Sequence, residues 1–174
     1  MTTRTSTITF LLTLFILAGS FGLGNPAAYA QSELPEAKNF TLKTLDGSKE
    51  VSLEEFKDTA VVINFWATWC GPCREEMPLL QKEWEKYENK GIQFIGVDVM
   101  DDKNLAAAFI KEMGVSYTNL HDPTGETSHK YGVIALPATF FITKDGRVAI
   151  KNYGPFIGKE GKKKFKLYME DIIE

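Results

Sequence analysis

The two cysteines of the chain, Cys70 and Cys73, are separated only by Gly71 and Pro72. Disulfides that stabilise secreted proteins usually join residues far apart in the sequence, because closing a long loop restricts the unfolded chain. A cross-link between Cys70 and Cys73 would restrict it very little. The spacing instead favours a redox pair that alternates between dithiol and disulfide and exchanges two electrons with a partner in each cycle.

A strand and a helix are predicted to hold this pair. Residues 60–66 form a nearly continuous β-branched and aromatic run, which is typical of a strand covered on both faces. From Pro72 onward, apolar residues recur at intervals of three and four until residues 89–91, which predicts a helix. Pro78 lies inside this predicted helix and is expected to kink it.

Both cysteines then lie at the N-terminus of the predicted helix. Unpaired backbone N–H groups and the helix dipole stabilise a thiolate there. Cys70, on the loop side, is expected to be exposed and to act as the nucleophile. Cys73, one turn further along, is expected to be more buried and to resolve the mixed disulfide. Trp69 immediately precedes Cys70 and is a candidate substrate contact.

The remaining segments predict further strands, helices and turns. They are a hairpin at 39–53, a helical turn at 53–57, a buried strand at 92–99, a helix at 105–113, a weak strand at 115–120, a short helix at 126–131, a hairpin at 138–153 and a helix from about Lys159. This order predicts an α/β sandwich with a mixed central β-sheet and helices on both of its faces.

The first 30 residues differ in composition from the rest of the chain. Arg4 is their only charge, residues 8–23 are largely apolar, and residues 28–30 read AYA, which is typical of a signal peptidase site. We therefore predict a signal peptide at 1–30 and one folded domain at 31–174. An uncleaved anchor, with a membrane tether through residues 8–24, is the alternative. Either form implies export.

The charge balance gives no indication of a nucleic-acid partner. The full chain has 20 basic and 23 acidic residues, and removal of Arg4 leaves 19 minus 23, a formal charge of −4. The one basic cluster, at residues 162–166, lies in the predicted C-terminal helix. We interpret it as a solvated helix face rather than as a surface for membranes or polyanions.

Two segments of the sequence resemble the signature segments of thioredoxin-like proteins. They are FWATWCGPCR at residues 65–74 and ALPATF at residues 135–140. EEMP at residues 75–78 and the extra segment at 101–131 resemble the TlpA/ResA-like (redoxin) branch of exported bacterial thiol-disulfide oxidoreductases. The resemblance begins near Asn39 and implies a thioredoxin-like fold with an N-terminal β-hairpin and an insertion between the central strands.

The resemblance also implies roles for residues outside the cysteine pair. It implies a cis peptide at Leu136-Pro137 that faces the cysteines, where the Leu136 backbone can pair with an extended substrate. Thioredoxins commonly carry a buried aspartate where this chain has Asn64, which cannot exchange protons. In the similar branch a glutamate three residues after the second cysteine takes part in proton transfer, and Glu76 stands there. Burial would raise the Glu76 pKa and suit it to that role.

The function implied by the resemblance is that of an exported thiol-disulfide oxidoreductase, working as a reductant of disulfide-bearing client proteins such as apocytochrome c. A membrane thiol-transfer protein would supply its electrons. We expect it in the bacterial periplasm or at the outer face of the cytoplasmic membrane, as a monomer that needs no cofactor.

Two other functions on the same fold stay open at this point. A disulfide-introducing oxidase would run the cycle in reverse, although Gly71 and Pro72 between the cysteines favour the reducing direction. A copper chaperone would need cysteines separated by three residues and a histidine. A zinc site is disfavoured because there is no second cysteine pair. His121 and His129 lack a ligand spacing and are expected at the surface.

Overall fold

The computed structural model describes residues 34–173, so the predicted signal segment lies outside the described residues. The strands are β1 Thr41–Thr44, β2 Glu50–Ser52, β3 Ala60–Trp66, β4 Ile92–Val99, β5 Thr118–Asp122, β6 Ala138–Ile142 and β7 Val148–Tyr153. The α-helices are α1 Gly71–Tyr87, α2 Lys103–Glu112, α3 Glu126–Lys130 and α4 Gly158–Ile173, and one turn of 3-10 helix covers Leu53–Phe56. No helix within residues 34–173 is long and apolar enough to span a bilayer.

The seven strands form one mixed sheet in the order β2-β1-β5-β4-β3-β6-β7. The pairs β3–β4 and β4–β5 are parallel. The pairs β1–β2, β1–β5, β3–β6 and β6–β7 are antiparallel. The predicted mixed sheet and N-terminal hairpin are confirmed. The insertion at 101–131 lies between β4 and β6 along the chain, but in space it supplies β5, which pairs with β4 on one side and β1 on the other.

Strand β3 is buried along its whole length, as its composition predicts. Its alternate side chains belong to two apolar layers on opposite faces of the sheet. Val61 and Phe65 point to the layer that includes Tyr131 after α3. Ala60 and Val62 point to the layer that includes residues of α1 and α4. Helices therefore cover both faces, and the end of β3 lies in the middle of the molecule.

Several element boundaries differ from those predicted. Helix α2 begins at Lys103 rather than at residue 105, because the Asp102 side chain accepts the N–H groups of Asn104 and Leu105 and so caps an earlier start. Strand β5 begins at Thr118 rather than at residue 115. Helix α1 continues from Gly71 to Tyr87 as one helix that includes Pro78.

A glycine in β4 makes room for a hydrogen bond beneath the cysteine motif. Asn64, Gly96 and Asn119 are opposite one another in the register of β3, β4 and β5. Trp66 Nε1 donates to Asn119 Oδ1 at 3.0 Å, directly over Gly96. A Cβ atom at residue 96 would lie 1.9 Å from Asn119 Oδ1 and 2.9 Å from Trp66 Nε1. The Trp66 ring also stacks on Phe109 of α2, with centroids 5.4 Å apart.

Candidate active site

Cys70 and Cys73 lie at the start of α1 and are joined by a disulfide, with their Cα atoms 5.3 Å apart. Cys70 is the N-cap residue, and its Sγ accepts a hydrogen bond from the Cys73 N–H at 3.2 Å. Pro72 lies in the first helical turn, where its missing N–H leaves no donor unpaired. The predicted sequence of strand, cysteine pair and helix is confirmed.

The two sulfurs differ in their access to solvent. Cys70 exposes 5% of its surface and Cys73 exposes none. The prediction that Cys73 is more buried than Cys70 is therefore confirmed, but the expectation that Cys70 is exposed is wrong. Both cysteines belong to an apolar cluster with Trp66 and Met77, and Leu136 packs against that cluster. Cys70 therefore offers little surface to a partner, and its surroundings are apolar.

Glu76 is fully buried one helical turn after Cys73. Its Oε1 accepts a hydrogen bond from Asn64 Nδ2 at 2.8 Å, and its Oε2 accepts one from the Phe156 backbone N–H at 3.0 Å. Burial raises the pKa of Glu76 from 4.5 to about 7, against the smaller lowering effect of the hydrogen bonds from Phe156 and Asn64. The carboxyl group can therefore hold or release a proton near neutral pH.

Asn64 orients this carboxyl group. Its Nδ2 donates to Glu76 Oε1 and also to Thr139 Oγ1 at 3.1 Å, while its Oδ1 is buried without a partner. In the sequence, Asn64 is recognisable only as the residue that replaces an acid. The contacts with Thr139 and Phe156 were not predicted, because both residues are distant in the chain. The one signal for them was a single polar residue at position 64 within an apolar strand.

The loop before β6 brings a second segment to the cysteines. The Leu136-Pro137 peptide is cis, as the resemblance implied. Leu136 is half-buried against the cluster that contains Cys70 and Cys73, and Pro137 is buried. The Pro137 carbonyl accepts the Gly154 N–H at 2.9 Å, which ties the loop to the end of β7.

Trp69 and Glu75 lie on the surface near this loop and helix. Trp69 is 63% exposed, although both of the cysteines that follow it are buried. Glu75 is exposed, as expected, and points away from the buried carboxyl of Glu76. Of the predicted site residues, Leu136 packs against the cluster that contains the cysteine pair, and Glu76 lies one helical turn after Cys73. The structure places Trp69 on the outer surface.

The two histidines have different environments. His129 is exposed on α3, as expected. The side chain of His121 is only 14% exposed, and its Nδ1 lies 2.8 Å from Asp98 Oδ2, so the expectation of a surface residue is wrong for His121. The cause is the register of β4 and β5, which sets Asp98 opposite His121. Within residues 34–173, no three His, Cys, Asp or Glu side chains form a group that could hold a metal ion.

Comparisons with known proteins agree with this geometry. The sequence profile of the AhpC/TSA family matches residues 35–151. The chain is 34% identical to the thiol-disulfide oxidoreductase ResA of Bacillus cereus over 167 residues, which cover 93% of this chain and 94% of that protein. It is 33% identical to ResA of Bacillus subtilis over 117 residues, which cover 67% of this chain and 65% of that protein.

Solved structures with the same architecture include a thiol:disulfide interchange protein of the thioredoxin family from Chlorobium tepidum. That structure has a TM-score of 0.71 at 26% identity, with 81% of this chain and 97% of the other covered. A DsbF homologue from Corynebacterium diphtheriae also has a TM-score of 0.71, at 28% identity, covering 80% of this chain and 88% of that one. The fold alone is shared with StoA from Bacillus subtilis, at a TM-score of 0.64 and 22% identity over 78% of this chain and 99% of the other.

Proposed function

This chain belongs to the AhpC/TSA family as a TlpA/ResA-like thiol-disulfide oxidoreductase, and on that premise we propose that it is an exported reductant of disulfides in client proteins. The observation that carries the proposal is the asymmetry of the cysteine pair. Cys70 caps a helix and keeps 5% of its surface exposed, whereas Cys73 is fully buried. This arrangement suits a nucleophile and an internal resolving thiol.

In the proposed cycle, the reduced protein attacks first through Cys70. The N-terminus of α1 stabilises its thiolate, and the Cys73 N–H already points at Cys70 Sγ in the oxidised form. Attack on a client disulfide forms a Cys70–client mixed disulfide and releases one client thiolate. The Cys73 thiolate then attacks Cys70 Sγ, which restores the Cys70–Cys73 disulfide and releases the second client thiolate. Two electrons have passed to the client.

Glu76 is the proposed acceptor of the proton that Cys73 must lose before it attacks. Glu76 lies one turn from Cys73 on the same helix face and is likewise excluded from solvent. A carboxyl group with a pKa of about 7 can accept a proton and return it without a large energetic cost. Asn64 and the Phe156 N–H each donate a hydrogen bond to one carboxyl oxygen and so fix the orientation of the Glu76 carboxyl group.

The proton role of Glu76 has a direct test in the Glu76→Gln variant. We expect the pH at which the Cys73 thiol ionises to shift, and the resolution step to slow, because glutamine cannot accept the proton. Ultraviolet absorbance of the thiolate in a Cys70→Ser background measures the ionisation. Glu75→Gln, which removes the exposed neighbouring carboxyl group, is the matched control. A Cys73 titration that is unchanged by Glu76→Gln would remove Glu76 from the mechanism.

Trp69, Leu136 and Pro137 are the proposed contacts for the client chain. Leu136 packs against the cysteine cluster, and Trp69 exposes most of its ring beside Cys70. An extended client segment that crosses Cys70 between them would bury the Trp69 ring, and it could pair with the Leu136 backbone as it would with a sheet edge.

The compartment and the electron supply are further parts of the proposal. Residues 1–30 have the composition of a signal segment, and export would place the protein where thiols are easily oxidised. We therefore propose a membrane thiol-transfer protein as the electron donor and apocytochrome c as the client class. We propose that the protein acts as a monomer, in the periplasm or at the outer face of the cytoplasmic membrane.

Trapping with Cys73→Ser tests the proposed chemistry and the client class together. The probe is an oxidised peptide with a C-x-x-C-H disulfide, the haem-attachment motif of apocytochrome c. We expect the reduced variant to accumulate a mixed disulfide through Cys70, because no second thiol can resolve it. Mass spectrometry of the adduct identifies the bond. The wild-type protein should release reduced peptide without accumulating the adduct.

Cys70→Ser is the control for this experiment, because it leaves only the enclosed thiol. It should form far less adduct than Cys73→Ser. Equal adduct in the two variants would contradict the assignment of Cys70 as nucleophile. No adduct with this peptide, but a stable adduct with another disulfide peptide, would keep the chemistry and remove apocytochrome c as the client class.

A further inference from the structure

A second group of titratable side chains lies beside the loop that carries Cys70. Asp98 near the end of β4, Asp101 just after β4 and His121 in β5 form this group, which we call the acid–imidazole cluster. The proposed redox cycle uses none of the three. Asp98 is fully buried, Asp101 is half-buried and His121 is largely enclosed.

Asp101 holds the loop directly. One of its oxygens, Oδ2, accepts hydrogen bonds from both the Thr68 backbone N–H at 2.6 Å and the Thr68 Oγ1 at 2.7 Å. Its other oxygen accepts the Asp102 N–H at 2.8 Å. Thr68 precedes Cys70 by two residues, so these bonds set where the chain leaves β3 and where Cys70 enters the helix. Hydrogen bonds to a charged carboxylate are roughly twice as strong as neutral ones.

Asp98 and His121 form the inner part of the cluster. Asp98 Oδ2 lies 2.8 Å from His121 Nδ1, while Asp98 Oδ1 is buried without a hydrogen-bond partner. The titratable groups that act on Asp98 are His121 from β5 and Asp101 from the loop after β4. Lys43 of β1 is opposite His121 in the register and is exposed. An ionised Asp98 beside an ionised Asp101 is costly in a buried site unless the pair with His121 holds a proton.

We propose that the acid–imidazole cluster positions the loop that carries the nucleophile. Asp101 bonds Thr68 directly, and the buried Asp98–His121 pair lies behind Asp101, so that the charge of Asp98 acts on the bonds between Asp101 and Thr68. These three are positioning residues, because they act on Cys70 through Thr68. The expected effect of the cluster on disulfide exchange rests on the proposed function, whereas its effect on the position of the loop does not.

The pKa of Asp98 agrees with this arrangement. Burial raises it from 3.8 to about 7, and the negative charge of Asp101 raises it too, while the hydrogen bond with His121 lowers it. As the pH rises through neutrality, the Asp98 carboxyl group loses its proton and a second negative charge appears near Asp101. Repulsion between the two carboxylates then alters the hydrogen bonds from Thr68 to Asp101.

The test follows the Thr68 amide by NMR in the oxidised protein, where neither cysteine can titrate. We expect its chemical shift to change with a midpoint near pH 7 in the wild-type protein. The step should be lost in Asp98→Asn and in His121→Gln. It should persist in His129→Gln, which alters the exposed histidine, and in Glu76→Gln, which removes the other carboxyl group that titrates near neutral pH.

A Thr68 amide shift that stays constant from acid to alkaline pH in the wild-type protein would overturn the proposal, and that result needs no variant to fold. A step that survives in both Asp98→Asn and His121→Gln would overturn it as well. Because the oxidised protein does no chemistry in this experiment, its outcome is independent of whether the protein is a reductant.

The functional arm measures reduction of the Cys70–Cys73 disulfide by a small dithiol. We expect Asp101→Asn to slow this reaction about tenfold, the factor that corresponds to losing roughly one charge-assisted hydrogen bond at the loop. Asp101→Glu should recover part of the rate. An unchanged rate in Asp101→Asn would show that the hydrogen bonds from Thr68 to Asp101 do not affect the nucleophile, and would overturn the role of the cluster in positioning Cys70.

Discussion

At the scale of single residues, the site depends on a carboxyl group that is enclosed and held at both oxygens. Glu76 accepts hydrogen bonds from Asn64 and from the Phe156 N–H, yet burial still raises its pKa to about 7. Desolvation therefore outweighs two favourable hydrogen bonds. A group of this kind should affect stability as well as catalysis, because the folded and unfolded chains bind its proton with different affinity.

Glu76→Gln should flatten the dependence of stability on pH. The Glu76 pKa is raised on folding, so its contribution to the free energy of unfolding is fully present below pH 4.5 and is lost as the pH rises through about 7. At about 1.4 kcal/mol per pKa unit, that loss is on the order of 3 kcal/mol. Urea denaturation of the oxidised protein from acid to mildly alkaline pH measures it.

The control for this stability measurement is Glu75→Gln, since Glu75 is exposed and adjacent. It should leave the pH dependence as in the wild-type protein. Asp98 retains its own dependence in every variant, so the informative quantity is the difference between Glu76→Gln and wild type. A difference that is constant with pH would mean that the Glu76 pKa is not raised on folding.

The residues of the site were predictable to the extent that they are local in sequence. The two cysteines follow from their spacing and the helix after them, and the place of Glu76 three residues after Cys73 was implied by the resemblance to the TlpA/ResA-like branch. The partners of Glu76 were not predictable, because the Phe156 N–H is 80 residues away. The same holds for Asp98 and His121, which meet only through the pairing of β4 with β5.

At the scale of elements, three parallel strands support the cysteine motif. The strong strands β3 and β4 were predicted within their observed bounds, because buried apolar runs are long and unambiguous. Strand β5 was predicted weakly and with a different start, because it is short and carries Asn119 and His121. Its place between β4 and β1 depends on sheet pairing, which local sequence does not encode.

Gly96→Ala should destabilise this part of the sheet. The added Cβ would collide with Asn119 Oδ1, so the Trp66–Asn119 hydrogen bond must break or the strands must shift. We expect a loss of about 1 to 3 kcal/mol in the free energy of unfolding, which is typical of overpacking in a core. Urea denaturation monitored by tryptophan fluorescence measures the loss.

Gly71→Ala is the matched control for the same substitution, because a Cβ at that position has no atom within 4 Å. It should not lower the free energy of unfolding. If Gly96→Ala were as stable as Gly71→Ala, the Trp66–Asn119 contact would have no role in holding β5 against the centre of the sheet.

At the scale of the whole molecule, the direction of the cycle is a question of relative stability. A disulfide that is hard to reduce belongs to a protein whose oxidised form is the more stable one, whereas a strong oxidant has a stabilised reduced form. Both cysteines are buried in an apolar cluster with Trp66, and Leu136 packs against it, so a thiolate formed on reduction is poorly solvated there. This environment favours the oxidised form and hence a reductant.

The redox potential should therefore lie near the value of about −270 mV found for thioredoxin, rather than near the value of about −120 mV found for the strong oxidant DsbA. Equilibration with a glutathione or dithiothreitol buffer measures it. The oxidised protein should also unfold at a higher urea concentration than the reduced protein. A potential near the upper value would reverse the proposed direction and make the protein an introducer of disulfides.

Because only 5% of the Cys70 surface is exposed, the folding state of a client should decide whether it can react. A disulfide inside a folded globular protein is poorly placed to reach a residue with so little exposed surface, because its own neighbouring side chains must come close as well. A client chain that is still extended can place a single segment across Cys70. We therefore expect the enzyme to compete with the folding of its clients, so that the clients open to it are newly made and slow to fold.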